Sequence, residues 1–354
     1  LFNQVGRTVF LEKDGEQTVI YTEFKYIHAA ELERLGFNMG DIVEILEEAF
    51  RVRAQGHAIM PPKVFFYRDG DRFYSSMASA SPHLGFGGCK WQSGDPENPT
   101  RGLPYIQGLY ILTEDKTGQV RAVIDAEWIT SQRTAAASAL VVKYQARAGA
   151  QRLGILGCGL QGRKHVEAIE AVRPDMKECI CFDVRRDAQE RFIEEMAVSH
   201  SMKMIGAKNA EEVCRASDIL ITGGPIDVTR KPTIKPDWIN PGCLVVTIDY
   251  DAYVTDEAIA EMDIILTDDV GQIEEERRTN RKFMGVPRFD TTLADLVAYG
   301  KGKRESDSQR ILGLNLGIAL EDLALAIEIL RRAEERAIGI SLPIGKRAKR
   351  SPTA

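Results

Sequence analysis

Arg152-Leu153-Gly154-Ile155-Leu156 is a short apolar strand that runs directly into Gly157-Cys158-Gly159-Leu160-Gln161-Gly162, with a helix-forming stretch from Arg163 to Val172 behind it. A Gly-x-Gly-x-x-Gly turn in that setting constrains the fold more than any other feature of the chain. Gly157 permits the tight turn, Gly159 lets the backbone approach a pyrophosphate, and Gly162 lets helix and strand pack closely. The helix start then offers free N–H groups and the positive end of its dipole to the phosphates. A second strand-like run, Glu178 to Phe182, ends in Asp183, 21 residues after Gly162, where a carboxylate meets the adenosine ribose 2′-OH. The pattern points to a bound dinucleotide. Asp183 favours NAD, because a carboxylate repels a 2′-phosphate. Arg185 and Arg186 weaken that preference, so NADP stays open.

Composition narrows the class of partner. A net charge of −6 provides no basic field for nucleic acid, and the Lys346-Arg347-Ala348-Lys349-Arg350 cluster reads as a solvated tail. No apolar run approaches a membrane span and no secretory pattern opens the sequence, so a cytoplasmic protein is expected. The six cysteines form no C-x-x-C pair and the five histidines show no ligand spacing. They are read as reduced thiols and ordinary histidines rather than as a disulfide or metal framework.

After Gln151 the chain alternates short apolar runs with amphipathic stretches, as a doubly wound parallel sheet requires. Strands are expected at Leu153 to Leu156, Cys179 to Phe182, Lys203 to Ile205, Ile219 to Thr222, Leu244 to Ile248 and Ile264 to Leu266. Helices are expected at Arg163 to Val172, Ala188 to Ser199 and Ala210 to Ala216. The earlier part differs. Helical patterns at Glu31 to Arg34 and Asp41 to Ala54 precede strands at Lys63 to Tyr67, Arg72 to Ser75, Gly108 to Leu112 and Val120 to Asp125, with turn signals at Asp69-Gly70 and Thr117-Gly118. The expected fold class is α/β: a Rossmann NAD-binding domain over residues 146–315, and an α+β substrate and dimerisation domain over 1–145 with 316–354. The helix from Gly317 to Ala337 is apolar on two faces, which suggests packing between domains or subunits.

Four segments together resemble the ornithine cyclodeaminase/mu-crystallin family. They are Cys89-Lys90-Trp91 with Asn98 and Gly102-Leu103-Pro104; the run from Trp128 to Ala139 (WITSQRTAAASA); the nucleotide turn ending Gly159-Leu160-Gln161-Gly162; and Gly317-Ile318-Ala319-Leu320-Glu321-Asp322-Leu323-Ala324. Their order fits the family from about residue 40 to 340, and only Leu1 to Tyr26 lacks a counterpart. The family includes ornithine and lysine cyclodeaminases, archaeal-type alanine dehydrogenases and ketimine reductases.

The resemblance implies hydride transfer between nicotinamide and the α-carbon of a small amino acid or its imine, in a homodimer. It makes Lys90 a substrate lysine for the carboxylate or for proton transfer at the α-nitrogen, chemistry that a desolvated lysine suits. Arg133 lies at the substrate and cofactor interface, and the catalytic acid follows the strand ending at Ile248. An ungapped match chooses Asp251, and a shift by two would choose Asp249. Lys63, Met77 and Leu316 complete the substrate contacts. Thr134, Val184, Thr222, Gly223, Ile248, Asp249 and Asn315 join Arg133, Asp183, Arg185 and the glycine turn around the cofactor. Lys63 replaces the family's arginine, which loses the planar fork. Tyr105 replaces a threonine, Thr255 a lysine and Asn315 a small hydroxyl residue. These departures bear on ornithine as a substrate more than on the cofactor. A nucleotide-binding protein without turnover, as some mu-crystallins are, is the rival expectation.

Overall fold

The computed structural model describes residues 11–14, 17–69, 72–225 and 230–346. Gly70 of the expected Asp69-Gly70 turn, the basic cluster after Lys346, and part of the N-terminal extension lie outside them.

Two eight-stranded sheets organise the chain. The first holds β1 (Leu11–Asp14), β2 (Gln17–Ile27), β3 (Val64–Tyr67), β4 (Phe73–Ser81), β5 (Phe86–Gly94), β6 (Ile106–Glu114) and β7 (Val120–Asp125). Their order is β1-β2-β7-β6-β5-β4-β3. Helices α1 (Ala29–Glu33) and α2 (Met39–Ala54) separate β2 from β3, and α3 (Ala126–Gln145) leaves the sheet after β7. The second sheet comprises β8 (Arg152–Leu156), β9 (Glu178–Phe182), β10 (Lys203–Gly206), β11 (Ile219–Thr222), β12 (Leu244–Thr247), β13 (Ile264–Thr267), β14 (Thr291–Thr292) and β15 (Ile311–Leu314). Between them run α4 (Leu160–Val172), α5 (Arg186–Ser199), α6 (Ala210–Ala216), α7 (Asp256–Ala260), α8 (Val270–Asn280) and α9 (Leu293–Tyr299). The chain then returns through α10 (Ala319–Glu335) to β16 (Ile340–Lys346), which pairs antiparallel with β2.

The second sheet is parallel throughout, in the order β10-β9-β8-β11-β12-β15-β13-β14. Its core strands β11, β12, β13 and β15 are buried at every position, as expected of strands covered on both faces. The strand order reverses between β8 and β11, which opens a crevice at their carboxyl ends where ligands of such sheets bind. β15 inserts between β12 and β13, a placement the linear pattern did not suggest.

Local chemistry starts and stops the elements. Asn38 and Asp41 form a reciprocal capping box that begins α2 at Met39, two residues before the expected start. Asp125 accepts from the Glu127 and Trp128 amides to begin α3. Helix α3 is buried over most of its length and touches α2, α4, α9, β5, β6, β12 and β15, so it is the spine shared by both sheets. Uniform burial removes the 3.6-residue alternation that would have announced it.

One face of the first sheet is covered by α10 and α3. Residues alternate accordingly: Met77, Lys90, Tyr110, Leu112 and Ile124 point inward, while Trp91, Leu109 and Ile111 on the other face are nearly half exposed. Helix α10 packs on this sheet, α2 and α3 within one protomer, and Leu323 is fully buried there. The helix from Gly317 to Ala337, expected to pack between domains or subunits, has both apolar faces covered within this chain by the sheet, α2 and α3. Leu323→Ala should therefore behave as a core truncation, lowering stability in denaturant titration by about 2–5 kcal/mol without changing the assembly's mass.

Candidate active site

The turn after β8 is shaped by close backbone packing. Gly157 has φ +105°, and a Cβ there would fall 2.5 Å from the Gly223 carbonyl oxygen beyond β11; one on Gly162 would fall 2.4 Å from the Gly157 carbonyl oxygen. Gly159 precedes α4 and faces open space. At the end of β9, Asp183 accepts from the Cys158 amide (2.8 Å) with one carboxylate oxygen and from the Arg185 amide (2.9 Å) with the other. Leu160 and Val184 present exposed apolar surface on either side of the turn. The Arg185 side chain is largely in solvent, its Nε 3.9 Å from Asp183.

Two buried polar atoms at this crevice have no partner among the described residues: Gln161 Oε1 in the first turn of α4, and Asn315 Oδ1 just past β15. Asn315 is otherwise fixed by its amide donating to Thr247 O (3.0 Å) and its Nδ2 to Ser138 Oγ (3.3 Å). Unsatisfied buried groups call for an absent partner. The open glycine face, the helix N-terminus, Asp183 and these two acceptors fit a dinucleotide. Thr222, Gly223 and Ile248 line the far side, where Thr222 Oγ1 donates to Asp249 Oδ1 (2.7 Å) and Ile248 packs over Gly223. Burial pushes the Asp249 carboxyl up to about 7, against the bonds from Thr222 and the Gly224 amide.

Next to the crevice, three cations meet buried acids. Lys90 on β5 is fully buried and donates from Nζ to Asp322 Oδ1 of α10 (2.9 Å) and to Thr130 Oγ1 of α3 (3.1 Å). Met77 lies beside it on β4 in the same register. Arg133 of α3 donates from a terminal nitrogen to Glu321 Oε2 (3.1 Å). Its Nε is 3.3 Å from Asp322 Oδ1 but not aligned for a hydrogen bond. Thr134, one residue on, donates back to Thr130 O. Lys63 donates from Nζ to Leu316 O (2.7 Å), and its amide donates to Gln272 Oε1 of α8 (2.7 Å). Burial pulls both lysines down to about 8, with Asp322 opposing it at Lys90, and Glu276 and Asp268 at Lys63. Burial also raises the carboxyls of Glu321 and Asp268, against the pull of Arg133 and Lys63 respectively.

Gly317 makes this arrangement possible. It has φ +76°, and any Cβ would overlap the Arg133 guanidinium; its amide donates to Asp268 Oδ2 (2.6 Å). The loop from β15 to α10 thus touches Lys63, Arg133 and Asp268 at once. Among the described residues Glu321 Oε1 and Asp322 Oδ2 remain buried without partners, so the cluster retains hydrogen-bonding capacity for a ligand.

Lys63, Lys90, Arg133, Met77 and Leu316 are therefore brought into one region, beside the crevice lined by residues expected at the cofactor. Asp251 is held elsewhere. One of its oxygens accepts from the Phe283 amide (2.8 Å) and lies 3.2 Å from Arg230 Nε, and the charges acting most strongly on Lys63 and Lys90 do not include it. Its neighbour Tyr250 faces the cluster instead, with its ring 5.0 Å from Lys63 Nζ. Sequence reasoning assigned no role to Thr130, Asp268, Glu321 and Asp322. An acid just past the carboxyl end of β13 and two in the first turn of α10 were the available signals.

Known proteins bear on this geometry. Alanine dehydrogenase of Archaeoglobus fulgidus is 33% identical over 321 residues, which cover 87% of this chain and 95% of that protein. An archaeal alanine dehydrogenase dimer solved with bound NAD superposes with a TM-score of 0.81 at 29% identity, covering 92% of this chain and all of that one. Δ1-pyrroline-2-carboxylate reductase of Thermococcus litoralis, solved with NADH and L-proline, gives 0.81 at 27% identity, covering 90% and 99%. The family pattern itself matches residues 25–337, and the chain belongs to the ornithine cyclodeaminase/mu-crystallin family.

Proposed function

We propose that the chain is an NAD(H)-dependent oxidoreductase acting between the α-carbon of a small L-amino acid and the corresponding imine, working as a homodimer. The observation that carries this reading is the buried Lys63, Lys90 and Arg133 set beside the Gly157 to Gly162 turn, with unpartnered acceptors in both regions. The relatives named above, an alanine dehydrogenase and an imine reductase, support it. Bound in the crevice, nicotinamide supplies the hydride acceptor or donor for the α-carbon. All other steps belong to the chain.

Arg133 and Lys63 hold the α-carboxylate, Arg133 with a forked guanidinium that retains donors beyond Glu321. Lys90 uses two N–H groups on Asp322 and Thr130 and keeps a third for the α-nitrogen. With its pKa near 8 it exchanges a proton with an amine at neutral pH. Asp322 sets both the position and the charge of Lys90. Asp251 acts one step removed, by fixing the Phe283 backbone against Tyr250. Oxidation requires neutral Lys90 as acceptor, so its rate rises as pH passes about 8; imine reduction requires the ammonium and falls over the same range.

Lys90→Ala should leave NADH affinity within a few-fold and lower turnover at least roughly 10²-fold; full activity on the best substrate would remove Lys90 from the mechanism. Asp322→Asn removes the carboxylate that holds the Lys90 pKa up, so both pH limbs should move to lower pH in steady-state profiles. Ammonia release from ornithine or lysine without net NADH change would identify a cyclodeaminase, and NADH binding with no turnover of amino acids or imines would favour the silent binder.

Cofactor choice rests on Asp183. NADH should bind more tightly than NADPH, and Asp183→Ser should narrow the gap because Arg185 remains. A wild type that prefers NADPH tenfold, about 1.4 kcal/mol, would overturn the assignment.

For assembly, the outer face of the first sheet exposes Val64, Phe66, Trp91, Leu109 and Ile111. So continuous an apolar face fits a partner surface, and the archaeal alanine dehydrogenase was solved as a dimer. Ile111→Glu should halve the mass measured by light scattering while leaving the protomer folded.

A further inference from the structure

We infer that His165, which the mechanism above does not use, is a positioning residue for the cofactor: through Ser138 it orients the Asn315 side-chain amide so that Oδ1 accepts a hydrogen bond from the carboxamide N–H2 of nicotinamide. The inference rests on NAD binding in the crevice and adds the group that reads its reactive end.

His165 of α4 is fully buried. Its Nδ1 is 2.7 Å from the Gln161 carbonyl oxygen, and its Nε2 is 3.0 Å from Ser138 Oγ of α3. Burial pulls its pKa down to about 4, against the bond to Gln161, so the ring is neutral at neutral pH and carries a single N–H. A carbonyl oxygen can only accept, which places that proton on Nδ1. Nε2 is then an acceptor, and the Ser138 hydroxyl is its donor. The Thr134 carbonyl is also within reach of Ser138 Oγ (3.2 Å), but it lies inside α3, where the helix ladder supplies a donor. Giving it the hydroxyl hydrogen as well would strand Nε2 in the interior.

With its one hydrogen committed, Ser138 Oγ can only accept from Asn315, whose Nδ2 stands 3.3 Å away. The Asn315 amide therefore has one orientation, with N–H2 toward α3 and Oδ1 turned from it. That oxygen is buried and has no partner among the described residues. The family's small hydroxyl residue at this place would donate as well as accept, whereas Asn315 held by Ser138 offers an acceptor alone.

The direction of the dinucleotide identifies the donor. The glycine turn follows β8 and Asp183 follows β9, so the adenosine half lies toward β9. The nicotinamide half extends the other way, over the carboxyl ends of β11, β12 and β15, and Asn315 immediately follows β15. The carboxamide carries the only N–H groups of a nicotinamide ring bound to ribose. The cations of the neighbouring cluster meet the next two residues instead: Lys63 donates to Leu316 O (2.7 Å), and Arg133 lies against Gly317.

The test compares NAD with its 3-acetylpyridine analogue, in which a methyl group replaces the carboxamide N–H2 and the carbonyl is kept. Binding of each to the full-length protein is measured by calorimetry without substrate, so turnover plays no part. NAD should bind at least roughly fivefold tighter, because the analogue leaves Asn315 Oδ1 without a donor. Asn315→Ala should bring that ratio close to one. His165→Phe frees the Ser138 hydrogen and Ser138→Ala removes the hydroxyl, so each lets the amide turn over and should lower the ratio by about twofold or more. His165→Gln, whose Oε1 can accept from Ser138, should preserve it. Because both ligands are measured on the same variant, partial loss of folded protein cancels from the ratio. A smaller wild-type ratio, or one unchanged in Asn315→Ala, overturns the assignment of Asn315. A ratio unchanged in either His165→Phe or Ser138→Ala, or lost in His165→Gln, overturns the role of His165. Failure of NAD to bind at all would sink the cofactor reading with it, whereas NAD binding without discrimination sinks this inference alone.

Discussion

The bridging of Lys90 and Arg133 by Asp322 is the interaction on which the rest of the site depends. It joins β5, α3 and α10, elements far apart in sequence, at a point where all three side chains are buried. Taking such charges out of water is expensive, and removing one partner typically costs about 3–5 kcal/mol because the other is left uncompensated. That cost makes the geometry specific: β5 cannot slide against α10, nor α3 rotate, without stranding an ion. The oxygens of Glu321 and Asp322 that have no partner among the described residues mark the side of the cluster where the proposed substrate would bind.

Helix α3 carries this constraint from one sheet to the other. Its N-terminal half holds Thr130, Arg133 and Thr134, while Ser138, one turn further, receives the Asn315 side chain. A single rigid element therefore sets the distance between the cations proposed to hold the substrate and the strand ends that line the crevice. Positioning of this kind is where much of the catalytic effect of a hydride-transfer site arises.

The parts legible in the sequence were those with local chemistry. The glycine turn, Asp183 and the alternating strands of the parallel sheet depend on short-range pattern, and β7, α6 and β11 have their expected bounds. β5 was seen only as a motif, because Gly87, Gly88, Gly94 and an inward lysine give it little strand character. The position of β15 between β12 and β13 is set by tertiary packing that no local signal encodes. The same holds at the site. Lys63, Lys90 and Arg133 could be named from motifs, but the acids that tune them come from α10 and the end of β13, and pairing across such separations is invisible in one sequence. Asp251 shows the limit most clearly. An ungapped match identifies the position, yet the left-handed turn at Tyr250 gives the aromatic ring to the cluster and the carboxylate to Arg230 and Phe283.

The two-residue period of β5 has a further consequence. Lys90 points to the cluster, while Trp91 points out and stacks 5.7 Å from Tyr74 on the apolar outer face, where Leu109 is its cross-strand partner. In the function proposed above, chemistry and assembly use opposite sides of one strand. Because a register slip by one residue would exchange the two faces, Lys90 is held inward twice over: by the ion pair with Asp322, and by the cost of carrying Trp91 into a polar interior. In the proposed homodimer a partner on the outer face would add to the second restraint, and association of the sheet and precision at Lys90 would reinforce each other through the backbone of β5.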